Sequence, residues 1–457
     1  MPPGEFGVLS IVHTLLSFST FFVDAGVGNV LFRRALPDRE TRSALFWWSV
    51  GWGSGFALLF ASLGPWLADF YQMPRLYAAL PLAALGLAFT AAGTQHRVLL
   101  RRALRFDLLA KIELVAFVAN FGLTVLLAYQ GYGCFAVVWG NLANMVGATL
   151  LCFMAGERDW MPRFYFRRAL VRPFLSFGLY QMGERGANYL AERSDVLIIG
   201  KILGPEALGL YDVMKQLLSR PEAMFNAVAG SVALPVMAKR ADDAAFLKKA
   251  YMGLTRRLNA LNFPVFVFCI AFPGLLLGLG PNWLEQAAVF QWLAAYQLLH
   301  STCNPIGALQ MAKGRADLGF YWNLLLLLLL PLSVLLGLRG DLVGVAAAIF
   351  GLFLAIQPLF FWWMVRPLIP VSWKTYYFSW LPPLLAALLS ALVAKMAIWP
   401  VGDTVILDFG FWILDWGPKM AVWPVGDTVG SLLGAGLVYA AAYMGLSFVF
   451  NRKIFEF

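Results

Sequence analysis

Apolar residues run along the chain in blocks of about twenty, separated by short stretches rich in arginine, lysine, glycine and proline. A block of that length crosses the ~30 Å hydrocarbon core of a bilayer as an α-helix. The blocks predict thirteen such helices, near 6–32, 43–64, 76–96, 109–129, 133–154, 173–203, 207–236, 258–280, 285–311, 317–338, 341–364, 376–398 and 428–450. The fold class is therefore all-α, a polytopic membrane protein. The intervening loops alternate sharply in charge. One set holds 26 Lys and Arg, in clusters such as Arg33-Arg34, Arg101-Arg102, Arg167-Arg168, Lys239-Arg240 and Arg256-Arg257. The other holds five: Arg75, Lys201, Arg339, Lys395 and Lys419. The positive-inside rule puts the richer set, and with it the C-terminus, in the cytoplasm.

A second pattern overlies the first. The stretch GKILGPEALGLY (200–211) reads as a helix end, a Gly-Pro turn at Gly204-Pro205 and a new helix, and MPPGEFG opens the chain in the same way. At an offset of 202, Pro3 falls on Pro205, Gly7 on Gly209, Leu15-Leu16-Ser17 on Leu217-Leu218-Ser219 and Gly28 on Gly230. Polar positions inside the runs coincide too, His13 with Lys215 and Asp24 with Asn226. That agreement indicates a duplicated unit. It sets out an N-lobe at 1–155, an interfacial cytoplasmic linker at 156–172, a C-lobe of six spans at 173–370 and a two-span extension at 371–457. A long helix precedes the turn in the second unit, so an equivalent first helix of roughly 25–30 residues is expected ahead of the N-lobe. Restoring it makes two parallel six-helix repeats. A shorter repeat, KMAIWPVGDTV at 395–405 and KMAVWPVGDTV at 419–429, has a period of 24. Its Asp403, Asp408, Asp415 and Asp427 are expected in a loop at the outer interface.

Composition narrows the function. Only 13% of residues are charged and 60% are hydrophobic, where a soluble domain has about 25% charged. The net charge of +10 follows the membrane topology, so no nucleic-acid partner is expected. Cys134, Cys152, Cys269 and Cys303 lack metal-ligand spacing and read as packing residues. No catalytic group, cofactor or metal site emerges from the pattern.

Ionisable side chains within spans are expensive and mark function. They concentrate on the helix before the central turn. Glu184, Asn188, Glu192 and Asp195 fall on one helical stripe and Arg185, Tyr189 and Arg193 on the next. The following helix adds Lys215 and Arg220, next to Pro221. Arg185, Arg193, Lys215 and Arg220, with Asn188 and Tyr189, suit a wet cavity that holds an anionic head group. Glu184, Glu192, Asp195, His13, Asp24 and Glu113 are candidates for binding a coupling cation. An alternative reading has Glu184/Arg185 and Glu192/Arg193 neutralising one another as interhelical pairs, and Asp195 and Asp24 reaching water from helix ends. His96 and His300 stand alone in the sequence and read as structural.

The segment FLSFGLYQMGERGANYLAERSDVLIIGKILGPEALGLYDVMKQLLSRP (174–221) resembles the polysaccharide-exporter branch of the multidrug/oligosaccharidyl-lipid/polysaccharide transporter superfamily. So do PPGEFGVLSIVHTLLSFSTFFVDAGVGNVLFRR (2–34) and HRVLLRRALRFDLLAKIELV (96–115). The likeness covers nearly all of 1–390 and is to lipid-linked-oligosaccharide flippases of the colanic-acid-exporter type. It implies two six-helix lobes around a cavity that opens alternately to each side. The implied substrate is an undecaprenyl-diphosphate-linked oligosaccharide carried to the outer leaflet of a bacterial inner membrane. Coupling to H+ or Na+, and polysaccharide polymerase or assembly proteins as partners, belong to the same expectation. The 24-residue repeat is foreign to the pattern. Two rivals stay open: a cation-coupled antiporter of drugs or small molecules, which would favour carboxylates, and a membrane glycosyltransferase or polymerase, which would need a substantial outer domain.

Overall fold

A helix lies in each of the thirteen expected spans of the computed structural model, which describes residues 1–23, 38–155, 162–167, 186, 188–277, 283–398 and 428–450. In chain order these are α1 (Pro3–Val23), α2 (Arg39–Tyr71), α3 (Leu76–Arg102), α4 (Phe106–Tyr129), α5 (Cys134–Ala155), α6 (188–202), α7 (Gly204–Ala238) and α8 (Ala244–Ala271). There follow α9 (Ala287–Ser301), α10 (Ala316–Gly337), α11 (Asp341–Phe360), α12 (Leu381–Ile398) and α13 (Thr428–Phe450). Among the described residues, six stretches are long and apolar enough to cross a membrane: Arg39–Tyr71, Leu76–Arg102, Phe106–Tyr129, Cys134–Ala155, Asp317–Val365 and Trp373–Met396.

Local chemistry sets the boundaries. Gly204 sits at φ +83°, where a side chain would be strained, and lets α6 turn directly into α7. Asp243 caps α8 by accepting from the Phe246 N–H at 2.9 Å. The span expected at 285–311 is interrupted. Pro305 has no N–H to offer the Ser301 carbonyl, so α9 ends at Ser301 and a short helix, Ile306–Ala312, resumes after a turn. The expected 376–398 span is likewise split, between Trp373–Phe378 and α12.

Contacts divide the chain into two compact units, residues 1–212 with 323–331 and residues 213–322 with 332–457. In the first, α2 and α3 lie side by side around fully buried Leu45, Leu76, Ala79, Leu80, Ala84 and Leu87. Small residues let the backbones approach, as lipid-embedded helices require when no hydrophobic drive separates protein from solvent. Leu100, Leu109, Ile112, Ala116, Ala148 and Cys152 form a second cluster joining α3, α4 and α5. The opposite face of α4 leaves Leu114, Phe117, Val118, Phe121 and Val125 exposed, a surface that acyl chains cover in a bilayer. The described part of the linker lies on α2. Phe164 stacks on Trp47 with ring centroids 4.4 Å apart, and the Trp47 indole donates to the Arg163 carbonyl at 2.9 Å.

In the second unit, α8 carries α12 and α13 through Phe263, Val267, Ala387, Ala391, Ala394 and Tyr439. Pro264 within α8 leaves the Ala260 carbonyl without its helical N–H partner. The Tyr443 hydroxyl of α13 donates to that carbonyl at 2.6 Å, and Tyr439 donates to the Pro264 carbonyl at 2.9 Å. A helix defect thereby becomes a docking point for the last helix.

Candidate functional site

In the first unit, α1, α6 and the opening residues of α7, up to Asp212, bring polar groups together. α1 presents Ser10, Thr14 and Ser17 at i, i+4 and i+7, one face of a helix. α6 presents Tyr189 and Arg193, and α7 presents Tyr211 and Asp212. The Arg193 guanidinium meets the Asp212 carboxylate at 2.8 Å, with side-chain exposures of 20% and 1%. Ser10 donates to the other oxygen of Asp212 at 2.6 Å. Thr14 is buried on α1 and Tyr189 half-buried on α6, and His13 Nε2 lies 3.5 Å from Ser17 Oγ. Asp195 is buried. It accepts from the Tyr211 hydroxyl at 2.6 Å and from the Val196 N–H at 2.8 Å, so it is held inside and does not reach water from the helix end.

Above this layer α1 and α7 cross at their N-terminal ends. A Cβ on Gly7 would run into the Pro205 carbonyl, and one on Gly209 into the Pro3 carbonyl. Residue 3 corresponds to 205 and residue 7 to 209 in the 202-residue frame, so the two contacts exchange when the copies are exchanged. Ser10 and Asp212 are themselves 202 apart. Glu5 adds a tie at the same end of α1. It is buried, pairs with Arg75 and accepts from the Cys134 N–H at 2.5 Å.

The remaining expected site residues scatter. Asn188 is half-buried on α6, whereas Glu192 is exposed. His13 is exposed on α1. Lys215 is half-buried and Arg220 exposed, both on α7, and Glu113 is exposed on α4. Glu184, Arg185 and Asp24 lie outside the described residues, as do Asp403, Asp408, Asp415 and Asp427. Arg193 finds its counter-ion across a helix boundary, in Asp212.

The second unit holds a polar centre absent from the sequence reading. Glu222, 3% exposed and directly after Pro221, accepts from the side-chain amides of Gln297 and Asn304. His300 Nδ1 stands 3.1 Å from the same carboxylate. His300 is thus no isolated ring, contrary to its appearance in the sequence. The break at Pro305 is what presents Asn304, since a continuous α9 would place residue 304 elsewhere. His96, by contrast, packs against Phe153 and Phe46 as a buried ring.

The family model described as "Polysaccharide biosynthesis protein" matches residues 1–288. The chain belongs to this polysaccharide biosynthesis family. Similar proteins include the lipopolysaccharide biosynthesis protein WzxC of Escherichia coli, 28% identical over 401 residues, 86% of this chain and 80% of that protein. The teichuronic acid biosynthesis protein TuaB of Bacillus subtilis is 27% identical over 380 residues, 82% of this chain and 78% of that one. Among solved structures, the lipid II flippase MurJ in an inward closed conformation superimposes with a TM-score of 0.71. That match covers 99% of this chain and 97% of MurJ at 12% identity. It fixes the fold of this family member as that of a polytopic transporter.

Proposed function

We propose that this membrane protein is a flippase that moves an undecaprenyl-diphosphate-linked oligosaccharide from the cytoplasmic to the outer leaflet by alternating access. A diphosphate carries charge that cannot cross hydrocarbon unaided. A layer of guanidinium and hydroxyl donors inside the protein replaces its water while the prenyl tail stays in lipid. The observation that carries the reading is Arg193, one-fifth exposed on a layer that also holds Thr14, Ser17 and Tyr189. A guanidinium fork suits phosphate oxygens. Arg185, Lys215, Arg220 and Asn188 belong to the same proposed path. The names of the relatives, in teichuronic acid and lipopolysaccharide biosynthesis, support the substrate class.

The same proposal takes in two lobes, 1–155 and 173–370, joined by the linker 156–172 and followed by the extension 371–457. It puts the chain in a bacterial inner membrane with its C-terminus in the cytoplasm, feeding a polysaccharide polymerase, and gives it no chemical step of its own. Transport draws on an H+ or Na+ gradient, and Glu222 beside His300 is the buried carboxylate best suited to take up the cation. That centre also favours the second reading, a cation-coupled antiporter of small molecules.

The test is complementation. Arg193→Ala is expected to abolish polysaccharide export in a strain lacking its own flippase while the protein still accumulates in the membrane. Full complementation by Arg193→Ala refutes the role given to this arginine.

A further inference from the structure

Asp212 answers to none of the roles assigned so far, yet it is the most buried charge in the polar layer. It holds Arg193 at 2.8 Å with one oxygen and takes the Ser10 hydroxyl at 2.6 Å with the other. An arginine so engaged is neutralised, and a phosphate that approaches it meets a carboxylate already in place. Carboxylate and phosphate bind a guanidinium through the same fork of N–H donors, so the two compete for one side. We infer that Asp212 is an internal competitor for the anionic head group, occupying Arg193 while the site is empty and surrendering it to the incoming diphosphate. This rests on the reading of Arg193 as a phosphate contact.

Two consequences follow from the geometry. Asp212 positions Arg193 in the empty protein, because the ion pair fixes the guanidinium beside α7. It also returns Arg193 to the pair after release, since a buried carboxylate stripped of its counter-ion is unfavourable. Asp212 therefore weakens binding and hastens departure. Ser10 strengthens the competitor, as a donor that favours the charged carboxylate. Because Ser10 sits on α1 and Arg193 on α6, the exchange also bears on the contact between α1 and α7 at their crossing.

The experiment is a titration of the purified full chain in nanodiscs with undecaprenyl diphosphate, read by intrinsic tryptophan fluorescence, alongside a flipping rate in proteoliposomes. With Arg193 released in roughly 10% of empty molecules or fewer, removing the competitor tightens binding about tenfold or more. Asp212→Asn is expected to bind tighter by that factor and to flip more slowly, while Asp212→Glu stays near wild type. A merely structural aspartate gives the opposite sign, weaker binding in the Asn variant. Ser10→Ala keeps both charges and is expected to tighten binding roughly threefold; it reads the same competition should Asp212→Asn not accumulate. If Arg193→Ala loses affinity but neither the Asn nor the Ser10→Ala variant gains it, the competitor role is overturned and the functional reading survives. If Arg193→Ala binds like wild type, the functional reading falls as well.

Discussion

Gly209→Ala is the sharpest structural test of the crossing between α1 and α7. A Cβ at position 209 would stand 2.8 Å from the Pro3 carbonyl carbon and 2.9 Å from the Gly7 nitrogen, nearer still to the Pro3 oxygen. Ordinary contacts of that kind begin near 3.4 Å, so the helices must part, by a distance that the Pro3 oxygen sets, and the obstructing atoms are backbone with no rotamer to change. Overpacking of this sort costs about 1–3 kcal/mol, which multiplies the population of the parted form roughly five- to 150-fold. The partner substitution Gly7→Ala meets the Pro205 backbone in the same way. Gly4→Ala is the control, because its nearest neighbour is the Glu206 side chain at 3.5 Å. Thermal unfolding of the purified protein is expected to fall by several degrees for Gly209→Ala and Gly7→Ala and to stay level for Gly4→Ala. Equal midpoints for all three would refute the close approach at the crossing.

The Tyr443 contact predicts a non-additive pair. Tyr443→Phe is expected to cost about 1 kcal/mol by stranding the Ala260 carbonyl, but almost nothing in a Pro264→Ala background, where residue 264 regains its own N–H. A double-mutant cycle of unfolding free energies checks this, and additivity contradicts it. At the Glu222 centre, Glu222→Gln is expected to remove the dependence of transport on the cation gradient, measured in proteoliposomes with and without an ionophore, without loss of folded protein. Unchanged gradient dependence would clear Glu222 of any coupling role.

Much of the architecture was legible in the residues themselves. Twenty-residue apolar blocks admit one structure in lipid, so the helix positions followed from pattern, and the Gly204 turn from its glycine and proline. Pro305 marks the interruption of 285–311, but the apolar run continues through it, so hydropathy alone predicts one span. The site was read in part. Arg193 and Tyr189 stood out because charge and hydrogen-bonding groups are rare in spans. Asp212 and Ser10 look ordinary alone, one near a helix's start and the other a lone hydroxyl; their separation of 202 residues, the same as the repeat offset, is the signal that links them. Glu222 and His300 lie 78 residues apart on helices whose mutual rotation no local pattern encodes, so only the fold could bring them together.

Flipping itself decides the central claim. Proteoliposomes holding the full chain and a fluorescent undecaprenyl-diphosphate oligosaccharide, probed with a membrane-impermeant quencher, are expected to lose protection as the lipid crosses, and Arg193→Ala vesicles are expected to match protein-free ones. A lipid that stays put in wild-type vesicles under an imposed H+ or Na+ gradient, or one that crosses equally fast with Arg193→Ala, would contradict the account.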